Sequence, residues 1–344
     1  MRTKEVVVSE GRVQIREQEL PETPAPKRVR IRTLYSAVSQ GTELLTIRRS
    51  ALEKAAAKLL GYQVVGEVVA RGEGTPDVPV GKLVACYGAP YVYHGSVLDV
   101  PPHLCSVLPA GVPPQEASFC GLGTVALHSV RVGKVSLGDV VAVVGLGVLG
   151  NLVAQLASRA GAHVLGVDTN EDRIKRAIEC GIRAFHNWQS LEKEVVAHSG
   201  SEGADVVFLV ANACGNDLLE QCVDLLRLRG TLVIVGNTDA VLPREALFMK
   251  EAFLVVSRAG GPGRYDPLYE AEAIDYPYGY VRWTQGRNLQ EFVRQLSLKK
   301  LALEPLITTI VPSAKCVEIY ETLAREPHKH CGVLFDWREE SCEQ

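Results

Sequence analysis

The stretch VVGLGVLGN, residues 143–151, constrains this chain more than any other. Gly145, Gly147 and Gly150 follow the apolar run Val140–Val144 and precede LVAQLASRA, whose apolar residues fall at helical spacing. A strand that passes into a helix through G-x-G-x-x-G suits a dinucleotide. The first glycine permits a tight turn, the second lets the backbone approach a pyrophosphate, and the third lets helix and strand pack closely. The helix N-terminus then offers free N–H groups and the positive end of its dipole to the phosphates. A second apolar run, Val164–Val167, ends in Asp168. An acid at this place, about 20 residues on, accepts hydrogen bonds from ribose hydroxyls and repels a 2′-phosphate. The expected cofactor site is Gly145, Leu146, Gly147, Val148, Leu149, Gly150, Asp168, Thr169 and Arg173, with NAD favoured over NADP. A flavin ranks below NAD, because flavin enzymes usually carry this motif near the chain start. A glycine turn without a ligand is the bland alternative.

The text around the loop changes character along the chain. Up to about residue 120, short runs such as RVRIRTLYSAV, GEVVARGEG and GKLVACYG are punctuated by Gly, Pro and Asp, which is antiparallel strand and turn chemistry. MRTKEVVVSEGRVQI at the N-terminus reads as a strand and lacks the apolar centre of a signal peptide. From about residue 121, apolar strands alternate with amphipathic helices, among them EDRIKRAIEC, stopping at Gly181, and NDLLEQCVDLLRL, residues 216–228. That alternation implies a parallel sheet covered on both faces. From about residue 262 the chain turns irregular and aromatic, then gives a helix at RNLQEFVRQLSLKKL. LITTIVPSAKCVEIYETLA follows as strand, loop and helix, and CGVLFDW as a strand returning to the first domain.

A length of 344 residues suggests two domains. The net charge of −3, spread without a long run of one sign, gives no electrostatic case for nucleic acid or an acidic membrane. No stretch reaches the roughly 18 apolar residues of a membrane span. Nine scattered cysteines without a C-x-x-C pair read as small core residues in a reducing cytoplasm.

QGTEL (40–44), GYQVVGEVV (61–69), HGSVLDVP (94–101), CGLGTVALHSV (120–130), GLGVLG (145–150) and VDTNEDRIKRAIECG (167–181) together resemble the medium-chain dehydrogenase/reductase superfamily of zinc alcohol and polyol dehydrogenases and zinc-free quinone reductases. The resemblance covers nearly the whole chain. It implies an α/β fold: a Rossmann doubly wound parallel sheet with a split GroES-like β-rich domain and a cleft between them. The implied boundaries are 1–120 for the first part of the catalytic domain, 121–262 for the NAD-binding domain and 263–344 for the return. GPGRYDPLY with YPYGYVRWTQGRNLQEF resembles a branch lacking the zinc ligands, similar to the alcohol dehydrogenase-like half of bi-domain sugar oxidoreductases.

Three zinc-ligand positions can be compared residue by residue. Where the family has the cysteine of C-G-T-D-L, this chain has Gln40, or Ser39 if the alignment slips by one; where it has G-H-E, this chain has Tyr62 and Gln63. Only Cys120 matches a ligand, and the loop of four close cysteines for a structural zinc is missing. One soft ligand beside Gln and Tyr does not hold zinc, so no metal is expected. Another group must then polarise the carbonyl or take the alcohol proton. The candidates by resemblance are Tyr62, at the place of the ligand histidine, His94 on a loop near the cleft, and Glu43 and Thr42 at polar positions beside it. Their bland roles are packing for Tyr62, a surface or capping role for His94, and capping of the helix through LLTIRRS for Glu43 and Thr42. Cys120 reads as a packed residue rather than a nucleophile.

The aromatic run Tyr265, Tyr269, Tyr276, Tyr278, Tyr280 and Trp283 suits a sugar, with its apolar C–H faces and hydroxyl edges, or else braces an irregular loop. Arg264 or Arg282 beside it would meet a carboxylate or phosphate, or be solvated. The resulting expectation is a cytoplasmic NAD-dependent oxidoreductase, without catalytic zinc, that interconverts a secondary alcohol and a ketone on a sugar, cyclitol or similar small molecule. The alternatives are a zinc-free quinone or enone reductase and a non-catalytic dinucleotide-binding protein. The resemblance also implies a homodimer or homotetramer joined through FLVVSR, with no nucleic-acid or membrane partner.

Overall fold

The computed structural model describes residues 1–53, 56–75, 78–212, 217–239 and 241–339. The chain forms two units: Met1–Thr124 with Gly260–Lys299 and Ile307–Gln344, and Val125–Ala259 with Lys300–Leu306.

The second unit carries a six-stranded parallel sheet among the described residues. In chain order its strands are Val140–Val144, His163–Val167, Arg183–Phe185, Ala204–Leu209, Leu226–Ile234 and Phe253–Val256. In space they lie third, second, first, fourth, fifth, sixth. The order reverses beside the first strand, and in such sheets ligands bind at that switch point, at the carboxyl ends of the strands. Every residue of Val140–Val144 is buried, as a strand covered on both faces requires. One face packs on Leu191 and Val195 and on Leu219, Cys222 and Val223 of the covering helices.

The expected helix at 216–228 is shorter than its pattern suggests. The described helix is Asp217–Asp224, and Leu226–Arg229 opens the fifth strand instead. Leu226 pairs with Ala204 and is fully buried, so the sheet's demand for an apolar partner overrides the helical spacing.

The first unit is β-rich. Val29–Ala37 is its axis, pairing antiparallel with Gln63–Arg71, with Val97–Val100 and with the returning strand Gly332–Asp336. Ile307–Pro312 pairs parallel with that returning strand, outside it. The N-terminus is two strands, not one: Arg2–Ser9 and Arg12–Glu19 form a hairpin. Glu10 and Gly11 both have positive φ, 49° and 75°, the two-residue turn that matches strand twist. Helix Gln40–Leu52 lies near this hairpin, and helix Cys316–Arg325 near helix Gln40–Leu52. The described cysteines are free thiols, all buried except the partly exposed Cys180.

Candidate functional site

The glycine loop has the geometry of a phosphate cradle. Gly145 has φ +97°, and a Cβ there would lie 2.7 Å from the Ala211 amide nitrogen. A Cβ on Gly150 would lie 1.7 Å from the Gly145 carbonyl oxygen, so helix and strand touch there. A Cβ on Gly147 would meet nothing within 4 Å, leaving open space over the loop. Gly147 is the N-cap of helix Val148–Arg159 and has no side-chain cap, so the first-turn amides remain available to an anion. These residues fit a dinucleotide.

Asp168 stands at the end of the second strand, mostly buried. Its Oδ2 accepts from the Leu146 amide at 2.7 Å and its Oδ1 from the Asn170 amide at 2.9 Å. Arg173 Nη1 is 3.6 Å away. The carboxylate therefore holds the loop to the second strand, and each oxygen keeps a further lone pair for a ribose hydroxyl. Thr169 beside it is exposed, and Val148 and Leu149 open the helix. Leu146 differs from the expectation in part: its side chain is fully buried against Gly166 and its amide is taken by Asp168.

In the first unit the structure draws His94 and Glu43 together, in the interior. Both are buried, with Glu43 Oε2 3.0 Å from His94 Nε2. His94 Nδ1 lies 2.7 Å from Ser36 Oγ, which also accepts from Trp337 Nε1 at 2.9 Å. Glu43 Oε1 accepts from the Ser39 amide at 2.7 Å, and Tyr320 donates its phenol proton to Oε2. Gly61, with φ +86°, permits this approach, since a Cβ there would lie 2.6 Å from the His94 ring. His94 lies on the expected loop, yet both ring nitrogens face protein partners and no surface. Glu43 caps helix Gln40–Leu52 through the Ser39 amide and also anchors the buried network. Sequence reasoning missed Ser36, within strand Val29–Ala37, and Tyr320 and Trp337, whose only signal was the return of the tail to the first domain.

Thr42 is exposed on the same helix turn, with Ser39 Oγ 3.4 Å from Thr42 Oγ1. Tyr62 is half-buried and faces them. Burial pushes its phenol well above the usual tyrosine range; the Ser39 and Thr42 hydroxyls pull it down, while Glu43 and Tyr265 add to the rise. The Tyr62 and Tyr87 rings meet edge-on, with centroids 5.7 Å apart.

The family's zinc positions do not fit a zinc ion. Gln40 Nε2 donates to the carbonyls of His330 and Cys331 at 3.0 and 2.9 Å. Gln63 bridges the Ala37 carbonyl and the Leu122 amide. Cys120 is buried and donates to the Cys86 carbonyl at 3.1 Å. Among the described residues, no three His, Cys, Asp or Glu side chains gather as a metal site.

The family model described as zinc-binding dehydrogenase matches residues 148–272. D-guloside 3-dehydrogenase of Escherichia coli is 30% identical over 76% of this chain and 72% of its own. The chain belongs to the medium-chain dehydrogenase/reductase superfamily. Sorbitol dehydrogenase of Halalkalibacterium halodurans is 29% identical over 73% of this chain and 82% of its own. The fold matches galactitol-1-phosphate dehydrogenase from Escherichia coli with a TM-score of 0.79, at 21% identity, over 97% of this chain and 99% of that one. This superfamily member is therefore an oxidoreductase with a dinucleotide-binding Rossmann sheet and a GroES-like β-rich unit. Among the described residues, no helix is long and apolar enough to cross a membrane.

Proposed function

We propose that the protein is an NAD-dependent dehydrogenase of the cytoplasm that interconverts a secondary alcohol and a ketone on a polyhydroxylated small molecule, without a catalytic zinc. The observation that carries this reading is Tyr62. A half-buried phenol flanked by Ser39 and Thr42 stands where the family has a ligand histidine, and the other ligand positions are spent on carbonyl and amide groups. The relatives support a polyol substrate: one is named for a hexitol, another for a guloside.

The nicotinamide, when bound, supplies the hydride exchange at carbon. The chain's own residues handle the oxygen. Tyr62, a phenol protonated at neutral pH, enters as a donor to a ketone oxygen, and the Ser39 and Thr42 hydroxyls offset part of the burial that weakens it as an acid. Ser39 and Thr42 stabilise the tyrosinate left behind, and Glu43, His94 and Tyr320 hold the helix turn that presents them. Tyr62→Phe is expected to lower kcat for ketone reduction about tenfold or more with KM little changed. Steady-state NADH oxidation measures this, and full activity would make Tyr62 a packing residue.

NAD is favoured because the Asp168 carboxylate, though near Arg173, is an acceptor for ribose and a repellent for a 2′-phosphate. Asp168→Ala is expected to weaken NADH about 10- to 100-fold, the worth of hydrogen bonds to a charged group. NADPH should weaken less, since Arg173 is freed to meet the phosphate. Equal losses by titration calorimetry would remove the ribose role.

The small-molecule substrate needs no macromolecular partner, and assembly is with copies of the same chain. Phe253–Val256 is an edge strand whose Phe253, Leu254 and Val256 are exposed, with Phe248 and Met249 nearby in sequence and also exposed. Pairing two such edges satisfies their backbone groups and covers the apolar side chains. Light scattering should find two or four chains per particle, and Phe253→Lys with Val256→Lys should give monomers. A monomeric parent protein would end this part of the reading.

A further inference from the structure

Resting on the dehydrogenase reading, we infer that the substrate is a closed ring, a pyranoside or cyclitol, seated on the outward face of Tyr265 beside Tyr62 and Tyr87. An open-chain polyol does not fit this platform as well.

The aromatic run of residues 265–283 divides by environment. Tyr269 is 2% exposed; its hydroxyl donates to Thr284 Oγ1 at 3.1 Å and accepts from the Gly286 amide at 3.0 Å, which makes it a brace. Tyr276 donates its phenol proton to Asp266. Tyr278 and Trp283 stack on Arg282. Tyr278 and Tyr280 are exposed, as is Tyr265 at 57%, but Tyr265 alone of these has a positive φ, +66°, a left-handed conformation that a bulky residue adopts only when held there.

What holds it is Arg264. The guanidinium lies 3.9 Å from the Tyr265 ring centroid. Arg264 is itself buried and fixed, donating to Glu270 Oε1 at 2.6 Å and to the Ala89 carbonyl at 2.7 Å. Its charge is answered by Glu270 and its two terminal nitrogens are spent on Glu270 and the Ala89 carbonyl, leaving a buried Nε without a protein partner, while the guanidinium stacks on one face of the Tyr265 ring. The same segment runs beside Tyr87, where a Cβ on Gly260 would lie 2.8 Å from the ring. Tyr87 in turn meets Tyr62. Arg264, next to Tyr265 in the chain, donates to the carbonyl of Ala89, two residues past Tyr87, and so ties this segment to the Tyr87 loop.

The result is a rigid aromatic plate next to the proton donor, with the Ser39 and Thr42 hydroxyls close by. A pyranose or cyclitol offers a flat array of C–H bonds to such a plate and hydroxyls around its edge. It also enters with its ring torsions already fixed. A hexitol has no such face and must freeze several rotors.

The test uses the full-length protein with NAD and two panels, methyl hexopyranosides with inositols, and hexitols. The best ring substrate is expected to exceed the best hexitol in kcat/KM by about tenfold or more, the size of one aromatic contact. Tyr265→Gly removes the plate while accepting the left-handed backbone, and should lower that ratio about tenfold; Tyr265→Phe should keep it. Saturation-transfer NMR should show contact along one C–H face of the ring in the parent protein and lose it in Tyr265→Gly. Hexitols used as well as rings, or a ratio unmoved in Tyr265→Gly, overturns this inference and leaves the dehydrogenase reading standing. Turnover of neither panel with either coenzyme overturns both.

Discussion

Glu43→Ala is expected to destabilise the protein by about 3 kcal/mol or more, since it leaves three buried hydrogen-bond partners unsatisfied at about 1–3 kcal/mol each. The reason lies in what the carboxylate serves. It accepts from the Ser39 amide and from Tyr320, and lies 3.0 Å from His94 Nε2. Alanine would strand an amide, a phenol and an imidazole nitrogen in an interior walled by Phe335, Trp337 and Leu44. Each orphaned donor costs its full desolvation. Glu43→Gln keeps an acceptor and the volume, so it should cost about 1–2 kcal/mol, one mismatched hydrogen bond. Urea denaturation at unchanged m separates the two. A loss below 1 kcal/mol in Glu43→Ala would mean that the network is not a cooperative anchor. The Gln variant also tests the site: if Glu43 acts by holding the turn that bears Ser39 and Thr42, its kcat falls far less than that of Tyr62→Phe.

The contrast between the glycine loop and this network shows what a single sequence can disclose. The loop is legible because its demands are local. Gly145, Gly147, Gly150 and Asp168 sit within one strand-turn-helix-strand passage, and each fills a geometric need that few other residues meet. The network is assembled from residues 36, 43, 94, 320 and 337, brought together by pairing of Leu334 with Ala37 and by docking of the last helix. No spacing rule links those positions. His94 and Glu43 could be named from the family pattern, but their mutual burial could not. The aromatic segment makes the same point within four residues. Tyr265 and Tyr269 share a side chain and a neighbourhood, yet one is an exposed plate and the other a buried brace, a difference set by which neighbours the fold packs around each. At 226–229 the helical spacing of Leu225 and Leu228 misled, since Leu226 was needed by the neighbouring strand.

Gly150→Ala and Gly147→Ala, one methyl each in the same loop, should have opposite consequences. At Gly150 the new carbon would sit 1.7 Å from the Gly145 carbonyl oxygen, a backbone atom at the end of the first strand. No rotamer change relieves that contact. Helix Val148–Arg159 must move off the strand by more than an ångström, opening the core around Val143 and Leu152, both fully buried. A cost of about 4 kcal/mol or more is expected, in the range reserved for core disruption and backbone strain. The melting temperature should fall and coenzyme binding should be lost with the fold of the unit. At Gly147 the carbon would enter empty space and φ is −60°, which alanine adopts freely. The fold should therefore be untouched, with melting within a degree or two of the parent. NADH binding should nevertheless weaken about tenfold or more, because the space the methyl fills is the space through which a pyrophosphate must reach the backbone. Calorimetry and thermal melting on the two variants separate stability from recognition. Tight NADH binding by Gly147→Ala would mean that the open face over the loop is not where the phosphates lie.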